Sequence, residues 1–337
     1  MAVVADSVWI TRLDDGPAGR RLAVKDLFDT AGVRTTYGSA VFAEHVPSKT
    51  APAVADLEAR GWVDVGKANL HEFAYGVTSQ NLHYGVVPNP RHPELTAGGS
   101  SGGSAAALAL GEADGALGTD TGGSIRIPAA CCDVVGFKPT YGTWSTEGVF
   151  PLAPSFDHAG PMARDVETCI ELMGIAVPEV SLQDLRVASA WGGVVGEPIG
   201  FPTAAPVFPV FAREVGDVHR DLYAENAELY GENIRSKVEM CIAITDGEYE
   251  AGLRARAEHR ERAEAALEGF DVLVTPVLSR PVPARDCDEL EVRAAMTLYT
   301  FPFNALGWPA LAVGNVQIAG RPGADALVLA AGLALKP

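Results

Sequence analysis

Ala97-Gly-Gly-Ser100-Ser-Gly-Gly-Ser-Ala105 and, further on, Gly115-Ala-Leu-Gly-Thr-Asp120-Thr-Gly-Gly-Ser124-Ile-Arg126-Ile-Pro128 form the most informative stretch of the chain. Repeated glycines remove Cβ atoms where a backbone adopts conformations closed to other residues, or where a ligand approaches main-chain N–H groups. Ser104–Leu110 is alanine-rich and predicts a helix. Gly115–Thr119 predicts a strand running into the second glycine turn. A serine following Thr121-Gly122-Gly123 then sits beside clustered amide donors, the parts of a nucleophile with an oxyanion hole.

The pattern extends outward from there. Arg21-Leu-Ala-Val-Lys25 reads as a short strand closed by the turn signal Asp29-Thr-Ala-Gly32. Thr50 to Gly61 reads as a helix, with Thr50 as N-cap, Pro52 in the first turn and Gly61 as the stop. Trp62-Val-Asp-Val65 and Asp271-Val-Leu-Val-Thr-Pro276 read as buried strands. Between Glu248 and Phe270, Tyr249, Leu253, Ala257, Ala263, Leu267 and Phe270 recur at near-helical spacing, which predicts an amphipathic helix. Residues 191–209 are rich in glycine and proline and read as a loop inside one domain spanning 1–337. Strands alternating with helices imply an α/β fold with its chemistry in loops at strand ends.

Composition narrows the function. With 47% hydrophobic and 20% charged residues the chain is neither disordered nor membrane-spanning. No basic segment followed by an apolar run opens the sequence, so a cytoplasmic location is expected. The net charge of −17 excludes a phosphate-tracking nucleic-acid surface and favours uncharged substrates over strongly anionic ones. Cys131, Cys132, Cys169, Cys241 and Cys287 form no CxxC pair and read as reduced thiols, with Cys131 and Cys132 packing beyond the Ser124 loop.

Several motif matches fail on single residues. Gly61-Trp-Val-Asp-Val-Gly66-Lys67-Ala68 mimics a phosphate-binding loop, but Ala68 lacks the hydroxyl that would bind Mg²⁺. His71-Glu72-Phe-Ala-Tyr75 puts tyrosine where a zinc protease needs its second histidine. No metal or cofactor is expected. A G-x-S-x-G elbow can be drawn around Ser100 or Ser101, yet the downstream histidines, His158, His219 and His259, include two in charged helical segments. With histidine disfavoured, Lys25 at a strand end is the leading candidate base.

Lys25 within Ala23-Val-Lys-Asp-Leu-Phe-Asp29, Gly98-Gly-Ser-Ser-Gly-Gly103, and Gly118-Thr-Asp-Thr-Gly-Gly-Ser-Ile-Arg-Ile-Pro128 together resemble the amidase signature family. The likeness runs from about residue 21 to 170, through Gly136-Phe-Lys-Pro-Thr-Tyr-Gly142 and Phe156-Asp-His-Ala-Gly-Pro-Met-Ala-Arg164. It echoes again in Asp271–Pro276 and Tyr299-Thr-Phe-Pro-Phe-Asn304. The resemblance implies an amidase signature fold, with a central mixed, largely parallel sheet flanked by helices. It further implies Ser124 as nucleophile, Ser100 after a cis peptide from Gly99, and Lys25 as base. Amides of Thr121, Gly122, Gly123 and Ser124 would hold the oxyanion, with Thr119, Asp120, Arg126 and Ser101 in support.

A lysine accepts a proton only when neutral, so burial must bring Lys25 towards roughly 7–8. Tyr75, Trp144, Phe150 and Phe156 are candidate pocket residues. The expected activity is hydrolysis of a small, uncharged amide, with a homodimer as a candidate assembly and neither nucleic acid nor membrane as partner. The alternatives are a Ser-His-Asp hydrolase, a non-catalytic binding protein, and, ahead of both, an ammonia-releasing subunit of an amidotransferase that acts on glutamyl-tRNA. The chain is shorter than typical members before Lys25 and after Ala190, which bears on the pocket wall and any dimer face.

Overall fold

Leu22 and Val24 face one side of a sheet and Ala23 the other; Leu117 opposes Ala116, and Leu311 opposes Ala312, in the same way. This two-residue alternation of bulky and small side chains organises the molecule. The computed structural model describes residues 7–13 and 19–335; the opening Met1–Asp6 lies outside them. The bulky side packs against the helices Pro52–Ala59, Val166–Met173 and Asp325–Ala334. The alanine side lets Gly102–Ala109 and Arg126–Cys132 approach closely.

The strands in chain order are β1 Trp9–Arg12, β2 Arg20–Lys25, β3 Trp62–Ala68, the small hairpin β4 Gln80–Asn81 and β5 Gly85–Val86, and β6 Gly115–Asp120. They continue as β7 Val135–Lys138, β8 His158–Ala163, β9 Val187–Ser189, β10 Glu197–Pro198, β11 Val272–Pro276, β12 Ala310–Val313 and β13 Val316–Ala319. Apart from the hairpin they form one 11-stranded sheet in the order β1-β3-β2-β6-β8-β7-β12-β13-β11-β9-β10. The sheet is mixed and flanked by helices, as expected of this α/β chain. β3, β2 and β6 run parallel, as do β11, β9 and β10, and antiparallel pairings fill the middle. Buried on both faces, its inner strands read as near-continuous apolar runs.

Local signals act largely as read, with informative exceptions. Pro52 opens its helix, but Ala51 occupies the N-cap position, while Thr50 Oγ1 accepts from Ala31 N at 3.1 Å. The phosphate-loop mimic at 61–68 is β3. The long helix Asp246–Ala266 starts with a capping box between Thr245 and Glu248. Its buried residues are Gly252, His259 and Ala263, whereas Leu253 is exposed, so the apolar periodicity misassigns part of the inner face. Gly252 is buried because a side chain there would meet Val210 on the neighbouring helix. The 191–209 segment is not wholly loop: β10 adds to the sheet edge, and the helix Phe208–Asn226 begins at its end. No helix among the described residues is long and apolar enough to cross a membrane.

Gly103 shows how tightly the helix beside Ser101 is seated. A Cβ built there stands 2.3 Å from Asn69 O and 2.7 Å from Val8 O. Helix propensity alone predicts that alanine gains about 1 kcal/mol over glycine, but overpacking against backbone costs about 1–3 kcal/mol. The close contact wins: Gly103→Ala should lower stability by about 1–2 kcal/mol in urea unfolding, where a peptide helix would gain.

Candidate active site

β2 and β6 are parallel neighbours, with Val24 opposite Leu117, so Lys25 leaves the end of β2 next to the last residues of β6. Lys25 is fully buried; its Nζ lies 2.7 Å from Ser100 Oγ and donates to Thr119 Oγ1 at 2.6 Å. Burial lowers its pKa to about 7, against the opposing pull of the Asp120 and Asp157 charges. The Gly99–Ser100 peptide is cis. Ser100 O accepts from His71 N and Ser79 Oγ, both at 3.2 Å, and so anchors the first glycine loop.

The second loop is stitched to the first. Ser101 N donates to Ser124 O at 3.2 Å, and Ser101 Oγ donates to Thr119 O at 3.2 Å. Lys25 thus meets the loop that carries Ser100, and that loop is bonded to the turn that carries Ser124. Gly123 has φ +130, and any Cβ there would collide with Thr300 Oγ1 at 2.3 Å, so this turn admits only glycine. Thr300 Oγ1 donates to Gly122 O at 2.6 Å. Thr121 Oγ1 donates to Asp157 Oδ1 at 2.6 Å, and Asp157 also accepts from Leu152 N at 2.9 Å.

Asp120 and Arg126 clamp the turn between them. The carboxylate accepts from Gly123 N (2.8 Å), Ile125 N (3.1 Å), Arg126 Nε (3.0 Å) and Arg126 Nη2 (2.8 Å). Burial would raise its pKa, but the Arg126 guanidinium outweighs this and holds the carboxyl well below the usual range. Arg126 also donates to Asn304 Oδ1 (2.7 Å), Gln317 Oε1 (2.6 Å) and Thr300 O (3.0 Å). The Gly123 amide is thus committed to Asp120. Among the described residues, no hydrogen bond ties the Thr121, Gly122 or Ser124 amides to the protein.

Ser124 opens onto a cavity of about 580 Å³. Its wall is mainly apolar, with Tyr75, Phe208, Phe211, Met240, Leu298 and Phe301 among the lining residues. Of the four aromatic candidates, Tyr75 lines this cavity. Phe156 is fully buried behind it and stacks on Phe301 at 5.6 Å. Phe150 lines a separate small cavity with Thr119, Thr121 and His158. Trp144 packs against the core cluster and does not line the cavity.

None of the downstream histidines hydrogen-bonds Ser124. His158 Nδ1 donates to Phe156 O at 2.6 Å, His219 Nδ1 lies 3.0 Å from Tyr230 Oη, and burial keeps the pKa of all three histidines low. Residues that no spacing revealed also shape the site: Asp157, Thr300, Asn304 and Gln317 as braces, and Arg293 in the cavity wall. Asp157 and Asn304 lie in segments whose residues stood out, but their partners lie far along the chain. Among the described residues no three His, Cys, Asp or Glu side chains cluster as a metal site.

Residues 18–185 match the family model described as Amidase. AtzE of Pseudomonas sp. (strain ADP), a 1-carboxybiuret hydrolase subunit, is 32% identical over 95% of this chain and 84% of its own length. A glutamyl-tRNA(Gln) amidotransferase subunit of Haloarcula marismortui is 47% identical, over 56% of this chain and 47% of its own. The chain spans about half the length of the curated amidotransferase relatives it matches in sequence. A solved amidase superposes with TM-score 0.85 at 33% identity, covering 93% of this chain and 83% of that one. The corresponding glutamyl-tRNA(Gln) amidotransferase subunit of Thermotoga maritima superposes with TM-score 0.78 at 27% identity, covering 97% and 86%.

The clamp generates a stability prediction. Arg126→Met removes one member of a fully buried pair and leaves the Asp120 charge without its main partner, at a cost of about 3–5 kcal/mol. Thermal unfolding should show a large drop in Tm. Replacing an exposed arginine such as Arg186, paired with Asp271 at the surface, should shift it far less.

Proposed function

This chain belongs to the amidase family, and we propose that it hydrolyses the C–N bond of a small amide through an acyl-enzyme on Ser124. The observation that carries the reading is the buried Lys25 Nζ 2.7 Å from Ser100 Oγ, on a loop bonded to Ser124. A lysine brought to about 7 is largely able to accept a proton near neutral pH. Lys25 takes the Ser100 hydroxyl proton, Ser100 takes that of Ser124, and Ser124 Oγ attacks the amide carbonyl carbon. The carbonyl oxygen becomes an oxyanion facing the Thr121, Gly122 and Ser124 amides.

Collapse of the tetrahedral intermediate breaks the C–N bond, and the proton returns along the relay to the departing nitrogen as ammonia or amine. Water then attacks the ester carbon, giving its proton to the relay, and Ser124 leaves with a proton restored. Asp120 and Arg126 act as positioning residues, holding the turn that carries the amide donors.

A second reading is favoured by the likeness to amidotransferase subunits: the same chemistry releasing ammonia from glutamine for a partner protein. Isolation of the native protein discriminates the two. Turnover of small amides by the lone chain supports the free-standing enzyme, whereas glutaminase activity found only in a stable complex supports the partnered form.

Two outcomes check the relay. Ser124→Ala should reduce turnover by roughly 10⁴- to 10⁶-fold with Tm little changed, and Ser100→Ala by several orders of magnitude. A modest loss in Ser100→Ala would mean that Lys25 acts on Ser124 directly. Because the neutral amine is the active form, kcat/KM should rise with pH through about 7 and level off above it. A bell centred in the acidic range would contradict a lysine base.

A further inference from the structure

Among the described residues lining the Ser124 cavity, Arg293 is the one charged side chain. It lies on the helix Glu289–Thr297, with its guanidinium 4.9 Å from the centre of the Tyr75 ring. Lys237 approaches the same ring at 5.0 Å. The adjacent carboxylate, Glu289, is already engaged: Oε2 accepts from Lys237 Nζ at 3.0 Å and Oε1 from Val77 N at 3.3 Å. Lys237 Nζ also donates to Tyr75 O at 2.6 Å, which turns it towards the backbone and away from the cavity. Two cations therefore share one carboxylate, and no ion pair involving Arg293 forms among the described residues. Glu289 and Tyr75 still act on Arg293 electrostatically, but Arg293 is the cation that faces the cavity, in a wall that includes Met240, Leu290, Leu298 and Phe301.

A guanidinium in an apolar cavity is poorly compensated unless a ligand supplies the opposite charge. Its planar fork matches a carboxylate through two parallel N–H···O bonds, and water exclusion strengthens them. Its place over the Tyr75 ring restricts where the guanidinium can move, so less freedom is lost on binding. We propose that Arg293 is the specificity-determining residue of this cavity and binds a carboxylate borne by the amide substrate across an apolar spacer. The inference rests on the amide-hydrolase reading above and names the substrate class for it. The net charge of −17 acts over the whole surface and slows approach of anions, but at contact distance the local cation dominates.

Steady-state kinetics with two amides of matched length, adipic acid monoamide and hexanamide, test the assignment. The wild-type enzyme should show kcat/KM at least about tenfold higher for the monoamide, the worth of one charge-assisted contact. Arg293→Met should bring the ratio of the two values close to unity, and Arg293→Lys should retain part of it, since a point charge replaces the fork. A wild-type preference for hexanamide, or a monoamide preference surviving in Arg293→Met, overturns the inference. The wild-type ratio decides even if the methionine variant does not fold.

If neither amide is hydrolysed, the hydrolase reading fails for these substrates and binding still tests Arg293. By calorimetry, Ser124→Ala should bind the monoamide at least about tenfold more tightly than Ser124→Ala/Arg293→Met. Equal affinities, or no binding to either, overturn it.

Discussion

The buried pair of Asp120 and Arg126 is the interaction on which the site depends. A turn containing Gly122 and Gly123 has little conformational preference of its own, since glycine loses more freedom on folding than any other residue. Asp120 supplies the missing specification by accepting from Gly123 N and Ile125 N, and Arg126 holds that carboxylate from two directions. The cost of burying both charges is offset only because the remaining donors of Arg126 are satisfied by Asn304, Gln317 and Thr300. Those three residues come from the C-terminal third of the chain. The turn beside Ser124 is thus held by a segment that folds around it.

Lys25 shows how position decides the behaviour of a buried lysine. Lys67 and Lys138 are also buried and have lowered pKa values, chiefly through burial. Lys67 donates to Phe28 O and Thr30 Oγ1 near Asp26 and Asp64, and Lys138 donates to Pro139 O. Both are held by structural acceptors. Lys25 alone of the three meets a serine of the glycine loops. The Asp120 and Asp157 charges keep its pKa from falling further. A base poised near neutrality is the outcome of desolvation on one side and two fixed carboxylates on the other.

The cavity is assembled differently from the catalytic floor. Its floor comes from the glycine turn, while Ala204, Phe208 and Phe211 come from the region after residue 190, and Arg293 and Leu298 from the segment before Thr300. Keeping the floor's geometry while varying such walls is a way for one fold to serve many amides, since function resides in the site and not in the fold. Exposed Met240, Leu290 and Leu298 bring the apolar wall to the surface. The electrostatics follow the same division: charges on the floor are paired and fixed, whereas the wall carries Arg293.

Much was legible without coordinates because it is local. Glycines flanking Ser100 and Ser124, the alternation that makes β2 and β6, and the strand-end position of Lys25 all follow from short-range sterics and periodicity. Resemblance could attach roles to them. Where local reading failed, packing overrode pattern: Leu253 faces solvent while Gly252 is buried against Val210, and Trp144 joins the core instead of lining the cavity. The role of Asn304, inside a segment that stood out, and the brace Gln317, the commitment of the Gly123 amide to Asp120, and the cation Arg293 facing the cavity had no sequence signature. Each depends on partners brought together by strand order in the sheet and the helices packed on it, and hydrogen bonds and charge balance are properties of distance in space.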